Sequence, residues 1–423
     1  MREEYLLALV MLGVAAVFEI VTRNKPKWWA PALLLAAVAG SLAAGMGLRF
    51  REIVEGPFGF LDALLPCVVA MIFLRTLKDS GAWEELFARL QGKSPLLTSF
   101  GMLLFLALPG MLTGFATASV LMSARPVYDL LMKKGQSKAK AVGFIAVGAF
   151  LGVMLPPNCA PAIVAANGAG SVLPTPYVGF FLPLLVLALP AFLLFGCMSA
   201  PLFKGEAPAP EKRGLLPLLP LLATLILVLV DGLLGSYVYV GGQVVIFLVG
   251  LVLALLLPAR KRGAKDVLDA LINGVTDIAG PVAAVFALGS FIEVSSMNGI
   301  RGIFSYRILP YGVSTVMLVL MALSVILGIL LSAPLPAFFI AYAVFPIGWL
   351  ANTVIVTGCA AAVGVAGLVA LRGGAFSLVK EELAVEDVSY GQVLRQLLLP
   401  ALLVLAMGVV MVLFGDKMTA IIL

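Results

Sequence analysis

The stretch from Leu96 to Gly170 constrains this chain most, because its apolar arms are interrupted where a membrane segment should run unbroken. Leu96–Pro109 is apolar, Gly110–Ser119 (GMLTGFATAS) is small and polar, and a second arm closes on the basic run Lys133–Lys140 (KKGQSKAK). The next apolar segment is itself broken by Leu155–Asn158 (LPPN). The 14 residues of the first arm reach only about 21 Å as a helix, short of a hydrocarbon core of roughly 30 Å. The pattern predicts a re-entrant hairpin that turns on Gly, Thr and Ser and leaves on the side it entered, next to a discontinuous membrane helix. Irregular backbone at such depth is tolerated only where it lines a cavity or a binding site.

The rest of the chain fits a bilayer. Hydrophobic residues make up 62% of the 423 and charged ones 12%, against an apolar share of about 45–50% in soluble domains. The expected fold is an all-α polytopic membrane protein. Ten spans are predicted, at 5–22, 30–48, 62–78, 141–168 (broken), 174–203, 215–236, 237–258, 279–298, 351–371 (broken) and 397–414, with re-entrant hairpins at 96–134 and 313–349. Acidic Glu3 and Glu4 ahead of the first span, and Arg23–Lys27 (RNKPK) after it, are the wrong flanks for a signal peptide. With both termini outside, 22 Lys and Arg fall on the cytoplasmic side and six on the other, as the positive-inside rule requires of an inner-membrane protein. The net charge of +6 is thus a topology signal, and a nucleic-acid partner is not expected.

An internal repeat points to the same plan. Gly59–Pro66 (GFLDALLP) and Gly274–Pro281 (GVTDIAGP) share Gly-x-x-Asp-x-x-x-Pro, and Pro126 with Pro346 and Pro183 with Pro400 keep nearly the same offset. Each half, 1–210 and 211–423, then holds five spans and one hairpin. An odd span number inverts the second copy, as in many secondary transporters. Arg49–Phe60 and Asp266–Asp277 read as interfacial arm helices, and Asp62 and Asp277 as helix N-caps.

Four helix N-termini, near Ala116, Cys159, Ala337 and Cys359, are expected to converge at mid-membrane, where their partial positive charge and free N–H groups suit an anion. The candidate substrate residues are Thr113, Gly114, Thr117 and Asn158, with Ser332, Thr357 and Gly358 in the second half. Exposed carbonyls and hydroxyls at Gly110, Thr113, Ser119, Pro156, Pro157 and Asn158 suit sodium as a coupling ion, the second half being the weaker site. Hydroxyls in membrane helices often bond only their own i−4 carbonyls, so the argument rests on their clustering. Arg125, about 13 Å along its arm from Ala116, is expected to reach the cytoplasm and not the substrate. Glu293 is a secondary candidate near the outer end of its span. The four cysteines have no metal-ligand spacing and no other cofactor is expected. The absence of histidine removes zinc-protease, Ser-His and histidine proton-relay chemistry.

From Pro109 to Pro183, the order of hairpin tip, KKGQSKAKA, GAFLGVMLPPNCAPAIVAANG and YVGFFLP resembles the large membrane subunit of tripartite ATP-independent periplasmic (TRAP) transporters, as does Ser389–Ala406 (SYGQVLRQLLLPALLVLA). The resemblance implies an elevator-type, sodium-coupled importer of organic acids such as C4-dicarboxylates. It also implies a small membrane subunit and a periplasmic substrate-binding protein as partners. The second half departs from that family, with Val356–Gly364 (VTGCAAAVG) where a Thr-Pro-Pro is expected. A stand-alone permease with proton coupling or none, an anion channel and an accessory membrane subunit are the competing readings. An enzyme is not expected.

Overall fold

A computed structural model describes residues 2–22, 28–167, 178–205, 214–235, 237, 241–257, 263–308, 310–330, 352–370 and 374–422. No strand occurs among them. The chain opens with α1 (Arg2–Val21), α2 (Trp29–Ala43), α3 (Phe50–Phe58), α4 (Leu61–Ser80) and α5 (Ala82–Leu90). The hairpin and broken helix follow as α6 (Pro95–Thr113), α7 (Ala116–Lys133), α8 (Lys138–Met154) and α9 (Ala160–Asn167). Then come α10 (Val178–Ser199), α11 (Leu219–Leu234), α12 (Gly242–Leu256), α13 (Ala264–Met297), α14 (Ile300–Ile308) and α15 (Val313–Leu330). The chain closes with α16 (Thr353–Val369), α17 (Ala375–Leu383), α18 (Tyr390–Leu413) and α19 (Gly415–Ile422).

Among the described residues five helices are long and apolar enough to cross a membrane: Pro95–Thr113, Gly179–Phe203, Leu216–Leu234, Ala264–Met297 and Tyr390–Leu413. The bent pair α3–α4 makes a sixth, and α2, α12, α16 and Ser314–Ile326 are shorter apolar helices. The expected first span, α1, carries Arg2, Glu3, Glu4 and Glu19 and falls outside that set.

Packing separates two groups of helices. In one, α13 runs against α2, α3 and α4, α12 lies on α4 and α11, and α1 lies on α2. In the other, α6, α7 and α8 pack on one another, α16 packs on α18, α15 and α9, and α17 covers α7 and α8. The groups meet chiefly where α4 touches α6 and α7, where α13 touches α7, and where α10 touches α11. Within the first group Arg75 of α4 pairs with Asp277 of α13 at 3.3 Å and with Asp79 at 3.5 Å.

Several expectations are corrected. The first hairpin arm is a 19-residue helix, because it continues through Gly110–Thr113 and ends only at Gly114, whose φ of +77° is left-handed. At about 28 Å its length no longer excludes a full crossing. Its tip nevertheless stops inside the protein, against the break in the next helix, beyond which α9 carries the chain about 12 Å further.

The two arms also differ. The first, α3, is a separate helix bent 57° from α4, whereas the second continues into its span as the 34-residue α13. Asp277 therefore lies mid-helix and pairs with Arg75, so it is not an N-cap. Asp62 is not an N-cap either: it lies in the first turn of α4, whose N-cap is Phe60.

The expected break at Thr357–Cys359 is absent. α16 runs unbroken from Thr353 to Val369, since VTGCAAAVG has no proline to remove a backbone donor. Of the second hairpin, α15 is described, while Ser332, Ala337 and Pro346 lie outside the described residues.

Candidate functional site

The turn of the first hairpin is built by its own polar atoms. Pro95 follows Ser94, whose hydroxyl accepts from the Leu97 N–H and starts α6. At the other end Thr113 donates to the Pro109 carbonyl at 2.7 Å and accepts from the Phe115 N–H at 3.3 Å, which holds the chain as it reverses. Gly114 sits in the left-handed region, and a Cβ there would stand 3.0 Å from the Ala160 nitrogen, so a side chain is doubly disfavoured. The arms are joined by hydroxyls: Ser119 accepts from the Gly110 N–H at 2.9 Å, and Ser123 donates to the Phe105 carbonyl at 2.8 Å.

The break in the neighbouring helix closes over this tip. Leu155 to Cys159 leave helical geometry between α8 and α9, with a cis bond between Pro156 and Pro157, and all five residues are buried. Asn158 is the seam. Its backbone N–H donates to the Met111 carbonyl at 3.1 Å and its Nδ2 to the Leu112 carbonyl at 2.6 Å, while the Ala160 N–H donates to Gly114 at 3.3 Å. The side chain is fully buried, yet Oδ1 has no partner. In a low-dielectric interior such an acceptor costs about 1–3 kcal/mol unless something donates to it or coordinates it. No three His, Cys, Asp or Glu residues gather as a metal site among the described residues. A cation here would be held by neutral oxygens.

Beside the seam a cavity of 320 Å³ lies between the two helix groups. One wall is the hairpin turn, Gly114–Thr117, with Ala160 and Pro161 of α9. The opposite wall is Trp29 of α2 with Gly280, Pro281 and Val285 of α13, and α16 and the start of α17 complete the lining. Among the described residues no Lys, Arg, Asp or Glu contributes to it.

The sequence-derived candidates separate accordingly. Gly114 and Thr117 face the cavity. Gly110, Thr113, Ser119, Pro156, Pro157 and Asn158 form the adjoining seam between turn and break. Thr357 and Gly358 do not join them: Thr357 donates to the Thr353 carbonyl within its own helix, and Gly358 packs so closely on α18 that a Cβ would meet the Gly408 oxygen at 2.6 Å.

The expected convergence of N-termini also narrows. The Ala160 N–H is taken by Gly114 and Pro161 has none, which leaves little of the α9 terminus free. The α16 terminus is capped by Asn352, whose Oδ1 accepts from the Ile355 N–H. The α7 terminus keeps the N–H groups of Ala116 and Thr117, at its first two positions, where a helix offers no internal acceptor.

Arg125 lies outside the site, largely exposed and 3.8 Å from Asp129. Trp29 was not among the candidates. The signal for it was its register, which puts it on the same face of α2 as Ala32, Leu33, Ala36, Ala37 and Gly40, all buried.

No protein-family profile matches the chain, and no curated protein is similar to it in sequence. Its fold is similar to those of several solved structures, two of which are transporters. The Alcanivorax borkumensis YdaH transporter superposes with a TM-score of 0.64 at 13% identity, covering 93% of this chain and 98% of that one. Neisseria gonorrhoeae MtrF, described with a class of antimetabolite efflux pumps, gives 0.56 at 10% identity over 92% and 94%. Neither is described as a TRAP permease or as an enzyme. The chain thus has the all-helical fold of a multi-pass membrane transporter.

Proposed function

We propose that this protein is a secondary active transporter that imports a small organic anion together with sodium across the cytoplasmic membrane. The observation that carries the reading is the buried, unpartnered Oδ1 of Asn158, at a seam of interrupted backbone beside a cavity that divides two helix groups. Sodium at the seam would satisfy Oδ1 and use the second lone pairs of neighbouring carbonyls. The α7 N-terminus, on the cavity side, would receive the anion. A cation a few ångströms from that terminus strengthens anion binding, and by linkage the anion strengthens cation binding in return.

Transport by this arrangement is an elevator movement. The group holding hairpin, broken helix and α16 carries the cargo, and the group built on α13 is the scaffold. The side facing the cavity follows from the charge asymmetry of the loops. Trp29 begins α2 just after the basic loop, and Gly374–Leu378 follow Arg372, so the cavity lies on the cytoplasmic side of the hairpin turn.

The direct test is thermal unfolding of the purified protein at equal ionic strength. Sodium is expected to raise the midpoint above that in potassium, and Asn158→Ala to remove the difference. Identical midpoints in sodium and potassium, together with unchanged proteoliposome uptake in choline, would overturn sodium coupling in favour of proton coupling or facilitation.

A further inference from the structure

Asp231 of α11 is the only charged residue between Arg213 and Arg260, and it is buried, with 8% exposure. An acid inside a membrane span is expensive, and such residues mark ion or proton sites by default. Neither α11, α12 nor the segment that joins them can supply a counter-charge, because none contains another Lys, Arg, Asp or Glu. α10, which packs on α11, has none either. α4, which packs on α12, carries an exposed Asp62 at its first turn and Arg75, Lys78 and Asp79 toward its other end. Among the described residues the Asp231 carboxyl makes no ion pair.

The register of the hairpin places a second polar group opposite it. Thr224 of α11 faces Gly250 of α12, since a Cβ on Gly250 would collide with the Thr224 hydroxyl. In antiparallel helices, seven residues forward on one and seven back on the other stay level, and two turns nearly restore the face. Asp231 therefore stands opposite Gln243, about 10.5 Å from the Thr224 contact. Gln243 is also 8% exposed, and its Oε1 is buried without a hydrogen-bond partner. An ionised carboxyl there would set acceptor against acceptor. A metal ion needs several oxygens, and only two side chains meet here, because the Thr224 hydroxyl is committed to the Pro220 carbonyl. A proton needs only two oxygens, one to carry it and one to accept it.

We infer that Asp231 is a proton-binding site: its carboxyl carries a proton at neutral pH and donates it to Gln243 Oε1, tying α11 to α12. The bond exists only while the proton is bound. In the orientation expected from loop charges the pair lies toward the outer end of the hairpin, so its occupancy answers to the medium outside the cell. It is separate from the cavity and from the Asn158 seam, and does not depend on the transport reading.

Infrared spectroscopy of the purified protein tests this, because a protonated carboxyl has a carbonyl stretch apart from those of carboxylates and backbone amides. At neutral pH the parent spectrum minus that of Asp231→Asn should contain one such band, moving to lower frequency in D2O. Gln243→Leu, which removes the acceptor, should keep the band and displace it. The folded chain holds this proton where the unfolded chain does not, so the unfolding midpoint should fall as the pH rises through the site's titration. The fall should be smaller in Asp231→Asn, whose Nδ2 can make the same bond without a titrating group. Absence of the band overturns the inference, and is expected if a metal ion or water lies between the oxygens or if the amide is turned so that Nε2 donates to an ionised carboxylate. A band that Gln243→Leu leaves in place overturns the pairing. Should Asp231→Asn fail to fold, the displacement in Gln243→Leu assigns the band by itself.

Discussion

Asn158 makes two kinds of contact, and substitutions separate them. Its Nδ2 holds the Leu112 carbonyl of the hairpin turn, while its Oδ1 has no hydrogen-bond partner. Asn158→Leu removes both and orphans a buried carbonyl, at a cost of about 1–3 kcal/mol in stability. Uptake into proteoliposomes of known protein content is expected to fall nearly to zero in this variant. Arg125→Gln should lower it less than twofold, since that side chain is exposed and does not line the cavity. Uptake by Asn158→Leu equal to the parent's would mean the centre lies elsewhere. At this scale the sequence was informative where a residue type has one use. Pro-Pro-Asn in an apolar run marks a break, and the Thr and Ser cluster marks a turn. It was silent on Trp29, because a tryptophan near a helix end is read as an interfacial anchor, and only the packing of α2 tells Trp29 from Trp28.

Among the elements, α7 shows how a proline can tie one helix to another. Pro126 has no N–H, so the Met122 carbonyl loses its helical donor, and Trp83 Nε1 of α5 takes its place at 3.1 Å. One residue earlier, Lys78 Nζ at the end of α4 donates to the Leu121 carbonyl at 2.7 Å. Trp83→Phe should therefore destabilise the protein by about 1–3 kcal/mol. Pro126→Ala, which restores the helical donor, should recover most of that loss in the double variant while changing little alone. Thermal inactivation of the four proteins reads the coupling, and strictly additive effects would refute this account. The hairpin and the first broken helix were legible because glycine and proline interrupt their apolar runs. The break assigned to α16 came from symmetry with α8, and symmetry could not supply the missing proline. The two arms fail to match for a related reason. Pro57 and Gly59 end α3, whereas nothing in Asp266–Asp277 stops α13.

For the whole molecule, the orientation predicted from loop charges can be checked at two serines. Ser94 and Ser137 begin the hairpin and the broken helix, and each caps its helix through its hydroxyl. In a background where the exposed Cys197 is replaced, Ser94→Cys and Ser137→Cys should both be labelled by a membrane-impermeant thiol reagent from the cytoplasmic side only. Labelling of either from the outside would invert the topology and with it the side on which the cavity lies. The polytopic helical fold was readable from apolar content and loop charge. The division into two packed groups was not, because it depends on which lipid-length helices choose each other, and nearly every face of such helices is apolar. The seam between turn and break has a consequence for substitution. Two of its three bonds, from the Asn158 and Ala160 N–H groups to Met111 and Gly114, join main chain to main chain, and the third ends on the Leu112 carbonyl. Those acceptors are present whatever amino acid occupies positions 111 and 112. Substitutions at those positions therefore leave the acceptors in place, so the junction tolerates change on the turn side and depends on Asn158 for its third bond.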